Sequence, residues 1–220
     1  MIDTLVSCYT VSENVKKLFF MNTHYLYPIC SYIFGSIPFG LILSNCFGNG
    51  LLRETGSKNI GATNVMRTQG KILGLSTFFL DSFKGFFACH FLQTNDVFLN
   101  LAIMGAVVIG HMFPLWLKFR GGKGIATYIG LLGALDIYVF ATTIIIWIIV
   151  FSICRISAVA GLASAVSSCL FIEFVPYTHH RHDTKQLYLL IVLVTLIIAK
   201  HRENIRQLMS KRKLPSSRKQ

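Results

Sequence analysis

The sequence predicts an all-α fold: a polytopic integral membrane protein of about seven transmembrane helices, with re-entrant or half-helical loops on its cytoplasmic side. Three observations carry that expectation. Of the 220 residues 53% are hydrophobic and only 14% charged, well under the roughly 25% charged content of soluble domains. Apolar runs of near-spanning length recur, where a soluble core of this size would need polar helix faces toward water. The basic residues gather in alternate connecting segments, the pattern of loops that face the cytoplasm.

Taken in order, the apolar runs place spans at 24–47, 71–92, 97–117, 124–135, 137–154, 157–175 and 186–200. The first contains GSIPFG at 35–40, where Pro38 bends the helix and the glycines permit close packing. The second contains FFLDSFKGFF, with Asp81 and Lys84 three residues apart. Each ionised group in hydrocarbon costs about 2.5–3.5 kcal/mol on insertion scales, so the two are expected to pair, face the bundle interior and act structurally. The run at 124–135 is short for a full crossing and suits a tilted or re-entrant half-helix, divided from the next by Gly133-Ala134-Leu135-Asp136. Residues 1–22 are expected to be a flexible extension, with no long apolar core of the signal-peptide kind and with Met21 as an alternative start. Residues 23–209 then form one membrane-embedded domain and 210–220 a basic cytoplasmic tail.

A formal charge of +12, from 21 Lys and Arg against nine Asp and Glu, suits nucleic acid, anionic lipid or an anionic substrate. Position decides among them. One side holds Arg53, Lys58, Arg67 and Lys71, then Lys118, Arg120 and Lys123, then Arg155 and the tail from Lys200. The other holds only Lys16, Lys17, Arg181 and Lys185, so the amino terminus is expected outside and the carboxyl terminus in the cytoplasm. Basic residues beside a membrane, with no nucleic-acid-binding fold, argue against nucleic acid. The six cysteines lack CxxC spacing, and His179, His180 and His182 beside Asp183 fall on the outer side as a solvated loop, so no metal site is expected. No internal repeat supports an inverted-repeat transporter, although a transporter of anionic metabolites is the rival class.

Three polar constellations lie on the basic side. GSKNIGATNVMR, 56–67, joins glycines that let backbone amides face an anion with neutral donors at Ser57, Asn59, Thr63 and Asn64 and the planar fork of Arg67. A polar loop that caps the next helix is the alternative. GHMFPLWLKFRGGKGIAT, 110–127, sets Lys123 among Gly121, Gly122 and Gly124. It is not a Walker A loop, because Leu117 stands where the first glycine belongs and Gly124 replaces the Ser or Thr after the lysine. An ammonium beside helix-start amides makes an anion cradle, and a positive-inside anchor is the alternative. KHRENIRQL puts His201 and Asn204 on one helix face, able to orient a hydroxyl or phosphate or simply to satisfy an interfacial position.

Together these segments resemble the bacterial acyl-phosphate:glycerol-3-phosphate acyltransferases, the PlsY family. The likeness runs in order through GSIPFG, RETGSKNIGATNVMRTQGKILG, DSFKG, GHMFPLWLKFRGGKGIAT, RISAVAG and HRENI, covering essentially 24–209. It implies a seven-span inner-membrane enzyme that moves a fatty acyl group from acyl phosphate to the sn-1 hydroxyl of glycerol 3-phosphate. The products are lysophosphatidic acid and phosphate, the first step of bacterial phospholipid synthesis. It implies no cofactor, and as partners the two substrates, membrane lipids and an acyl-phosphate-producing enzyme. By position, Ser57, Arg67, Lys123, His201 and Asn204 would be catalytic, and Thr63, Asn64, Gly121, Gly122 and Ser157 would bind substrate. Arg67 and Lys123 would hold phosphate, Ser57 and Ser157 would bond substrate oxygens, and His201 and Asn204 would order the glycerol phosphate end.

The chain carries neither a nucleophilic serine with an evident His and Asp nor an HxxxxD motif. Direct attack without an acyl-enzyme is therefore expected, with His201 or a substrate phosphate oxygen as base. Three positions depart from the family: Leu51 replaces Asp and removes a partner for Arg53, Lys58 replaces the second glycine of GSGN, and Gln207 replaces an arginine before Ser210-Lys211-Arg212-Lys213.

Overall fold

A computed structural model describes residues 25–174 and 184–212. The expected extension at 1–22, the histidines at 179, 180 and 182, and the tail beyond 212 lie outside the described residues. Within them the fold is all-helical: α1 (Tyr27–Gly35), α2 (Phe39–Phe47), α3 (Ala62–Gln69), α4 (Lys71–Phe91), α5 (Val97–Met112), a short turn at Leu115–Leu117, α6 (Ile125–Leu135), α7 (Ile137–Cys154), α8 (Ser157–Phe174), α9 (Thr184–Lys200) and α10 (Arg202–Arg212). The first expected span is thus two helices, broken at Ser36-Ile37-Pro38, because proline has no N–H to continue the ladder. The expected tail is helical as far as Arg212.

Four segments are long and apolar enough to cross a bilayer: Tyr27–Phe47, Lys71–Phe91, Val97–Leu117 and Ile137–Cys154. Ile125–Leu135 and Ser157–Glu173 are shorter apolar helices. With α9 they follow the seven expected runs in order. Ile145, Ile148, Ile149 and Ile153 on α7 and Phe79 and Phe83 on α4 are exposed, as lipid-facing side chains are.

The shortest of these helices has no exposed residue. Eleven residues of α6 extend only about 16 Å, roughly half a hydrocarbon core, and Thr127 through Leu132 are all buried. Small residues let α4 approach it: a methyl on Gly85 would overlap the Thr127 carbonyl, and one on Gly130 the Ser82 carbonyl. Tyr128 and Ser168 share a hydrogen bond of 2.8 Å across α6 and α8, which keeps both hydroxyls satisfied away from water.

Lys84, fully buried, resolves the break in the first span. Its ammonium pairs with Asp81 at 2.8 Å and donates to the carbonyls of Gly35 (3.0 Å) and Ile37 (2.8 Å), which the helix break leaves without ladder partners. The intrahelical pair is therefore also an interhelical clamp.

Candidate functional site

The segments joining α2 to α3, α5 to α6 and α7 to α8 meet the end of α9 at one end of the bundle. Direct bonds hold them: Arg53 donates to the Arg120 carbonyl at 2.9 Å, Thr63 and Ser157 share a hydrogen bond of 2.9 Å, and Lys123 donates to the Asn204 side-chain oxygen. Between them lies a cavity of about 350 Å³, large enough for a small ligand.

Helix starts face this cavity. Gly61, Ala62 and Thr63 from the start of α3, Gly124, Ile125 and Ala126 from α6, and Ile156, Ser157 and Ala158 from α8 all line it. No side chain caps α3 or α6. By contrast, Asp96 caps α5 and Asp136 caps α7, each accepting two backbone N–H groups. Uncapped amides and the positive ends of the helix dipoles thus point where an anion would sit.

The charges agree. Arg67, Lys123, Arg155 and His201 line the cavity, while Asp81 is its one carboxylate among the described residues and is already paired with Lys84. Burial first, and then the neighbouring Arg67 guanidinium, push the Lys123 ammonium down to about 8. Its charge is therefore strained until an anion arrives. His201 is buried, and its Nδ1 donates to the Ile197 carbonyl at 2.8 Å. Nδ1 thus carries the proton, and Nε2 is left as an acceptor. Burial chiefly, with Lys123, holds this imidazole below its ordinary range, against the pull of the Ile197 carbonyl.

Of the residues singled out from sequence, Ser57, Thr63, Asn64, Arg67, Lys123, Ser157, His201 and Asn204 line the one cavity. Gly121 and Gly122 do not, and here the structure departs from the expected substrate-binding role. Their amides donate to the carbonyls of Met112 (3.2 Å) and His111 (3.0 Å), supplying donors to the end of α5. Asn64 differs too: its amide donates to the Leu52 and Thr55 carbonyls and accepts from the Ser57 N–H. A buried amide so used shapes the 52–57 loop. His111, Arg155, Phe78 and Trp147 also line the cavity, without having been assigned to it from sequence. Arg155 had a signal, since it stands two residues before the helix start at Ser157.

The fold and this site define a polytopic integral membrane protein with a basic cavity built for anionic ligands at one end of its helix bundle. Residues 25–211 match the glycerol-3-phosphate acyltransferase family, and the chain belongs to that family, in its PlsY form. The glycerol-3-phosphate acyltransferase of Wolbachia pipientis subsp. Culex pipiens (strain wPip) is 43% identical over 194 residues, covering 86% of this chain and 96% of that protein. That of Ehrlichia canis (strain Jake) is 41% identical over 187 residues, covering 84% and 94%. Among solved structures, PlsY (YgiH), an integral membrane glycerol 3-phosphate acyltransferase, matches in its glycerol 3-phosphate form with a TM-score of 0.78 and 34% identity. That match covers 87% of this chain and 94% of the other. The lysophosphatidic acid form matches at 0.77 and 33%, with the same coverage.

Two of the three expected departures, Lys58 and Leu51, have physical readings. Lys58 has φ 58°, in the left-handed region that glycine occupies freely, which is why glycine suits this place. Its side chain is exposed and lies off the cavity lining. Lys58→Gly should therefore raise stability by up to about 1 kcal/mol in thermal unfolding, with activity of the same order. Arg53, lacking an acidic partner at Leu51, bonds the Arg120 carbonyl instead.

Proposed function

We propose that this protein transfers a fatty acyl group from acyl phosphate to the sn-1 hydroxyl of glycerol 3-phosphate, at the cytoplasmic face of a bacterial inner membrane. The observation that carries this reading is the convergence of the α3, α6 and α8 starts, Arg67, Lys123 and His201 on one cavity. Two phosphate-bearing substrates suit that much positive potential.

Arg67 and Lys123 hold phosphate oxygens, with the helix-start amides supplying further donors. Ser57 and Ser157 bond substrate oxygens, Thr63 keeping Ser157 oriented through their shared bond. His201 Nε2 accepts from the glycerol hydroxyl and Asn204, held by Lys123, orders the same end. The hydroxyl oxygen attacks the acyl carbonyl carbon as its proton passes to Nε2. The bond from that carbon to the phosphate oxygen breaks, and phosphate leaves with both electrons of the bond. Because the donor is already activated, approximation and charge stabilisation supply most of the rate. Phe78, Trp147 and Ile156 form the apolar side of the cavity, where the acyl carbonyl end enters from the bilayer.

The test is acyl transfer by the purified full chain, with acyl phosphate, acyl-CoA or acyl-carrier protein as donor. Lysophosphatidic acid and equimolar phosphate from acyl phosphate alone is the expected result. No product from any donor, together with anion flux in liposomes, would favour a transporter.

The same assay carries a pH dependence whose direction is set by Lys123. Its ammonium is charged below about pH 8, and a phosphate monoester is a dianion above about pH 6. Hence kcat/KM should rise through pH 6 and fall above about pH 8. Bound dianion stabilises the ammonium, so the upper limb of kcat should lie at higher pH than that of kcat/KM.

A further inference from the structure

His111 lies in the last turn of α5, 5% exposed, with one edge on the cavity and no part in the chemistry above. The Lys84 ammonium stands 3.1 Å from its Nδ1. An ammonium only donates, so Nδ1 offers its lone pair and the ring proton sits on Nε2. Asp81 is 3.6 Å from the same nitrogen, too far for a competing hydrogen bond. Behind the ring, then, stands a lysine that is itself fixed by Asp81 and by the carbonyls of Gly35 and Ile37.

In front of the ring stands Gly122. Its N–H donates to the His111 carbonyl at 3.0 Å, and a methyl on Gly122 would overlap the imidazole, Nε2 first. The next residue is Lys123. A line of direct contacts therefore runs from the broken first span through Lys84 and His111 to Gly122 and the cavity lysine.

We propose that His111 is a positioning residue for acyl transfer: braced by Lys84, its imidazole is the surface on which Gly122 seats, and it thereby sets where Lys123 stands in the cavity. This rests on the reading of Lys123 as a phosphate ligand. A glycine is required at 122 because the ring fills the place of a side chain, and the ring is required because Gly122 has none.

The experiment is a double-mutant cycle on the purified full chain, reading KM for glycerol 3-phosphate and kcat for His111→Ala, Gly122→Ala and the double variant. Gly122→Ala should lose about 10²-fold in kcat/KM, because the methyl displaces the loop by about an ångström. His111→Ala should raise KM about tenfold with a smaller change in kcat, since it loosens a phosphate ligand and removes no reacting group. The double variant should be about tenfold more active than Gly122→Ala alone, the vacated space accepting the methyl. His111→Asn, which keeps an acceptor for Lys84 without the ring, should retain wild-type thermal stability and show the raised KM. It replaces His111→Ala in the cycle should the alanine variant not fold.

A Gly122→Ala loss of the same size with and without the imidazole would overturn the proposal. So would an unchanged KM in His111→Asn. Absence of transfer in the wild-type arm would instead refute the function on which the proposal rests.

Discussion

Lys123→Ala should lower kcat/KM for acyl transfer by about 10²–10³-fold, the usual effect of removing one preorganised donor from developing negative charge. Its effect on stability should have the opposite sign from that of a structural lysine. The ammonium is half-buried beside Arg67 with an amide oxygen as its hydrogen-bond partner, and its pKa is depressed to about 8. Removing it relieves like-charge repulsion, so the variant should melt no lower than wild type. Glycerol 3-phosphate should raise the melting temperature of wild type and do little for the variant. Activity lost together with stability would mean that Lys123 holds the fold, not the ligand. A basic cavity with uncapped helix starts is a place where stability is given up so that binding can restore it.

Lys84→Met should destabilise the fold by about 3–5 kcal/mol, the range for breaking a buried ion pair from one side. The Asp81 carboxylate, the Gly35 carbonyl and His111 Nδ1 lose the ammonium at once, and the Ile37 carbonyl keeps only its bond from the Phe39 N–H. Denaturant titration in detergent reads the loss. Adding Asp81→Leu removes the uncompensated carboxylate and should recover much of it, the Gly35 carbonyl and His111 Nδ1 still lacking their Lys84 donor. If the double variant were no more stable than Lys84→Met, the carboxylate would not be the source of the cost. The clamp lies under the cavity, so the double variant should also lose activity even where it folds.

The helical runs were legible because hydrocarbon imposes a simple rule: long apolar segments become helices, and their ends fall where charge and glycine begin. The bounds of α4, α5, α7 and α9 follow the expected runs to within a few residues. Pro38 announced a bend, and the structure turns it into a full break because Lys84 satisfies the carbonyls it frees. The short run at 124–135 announced a half-helix, but not that none of its residues would be exposed.

At the site, types of residue were legible and their directions were not. Arg67, Lys123, His201 and Asn204 could be chosen because side-chain chemistry is local. The amides of Gly121 and Gly122 turn away to Met112 and His111, a matter settled by where α5 ends. Asn64 is spent on a loop twelve residues earlier. His111 gave no charge signal, and its place depends on Lys84, 27 residues away in sequence. Such contacts are tertiary, and no local spacing encodes them.

In the proposed reaction two phosphates share one basin. The most direct measurement is a structure of this protein with glycerol 3-phosphate and a non-hydrolysable acyl phosphonate bound together. Both phosphorus groups should lie between the starts of α3, α6 and α8, with oxygens about 3 Å from Arg67 and Lys123 and the free glycerol hydroxyl facing His201 Nε2. Anions seated at separate surfaces, with Arg67 and Lys123 touching neither, would contradict it.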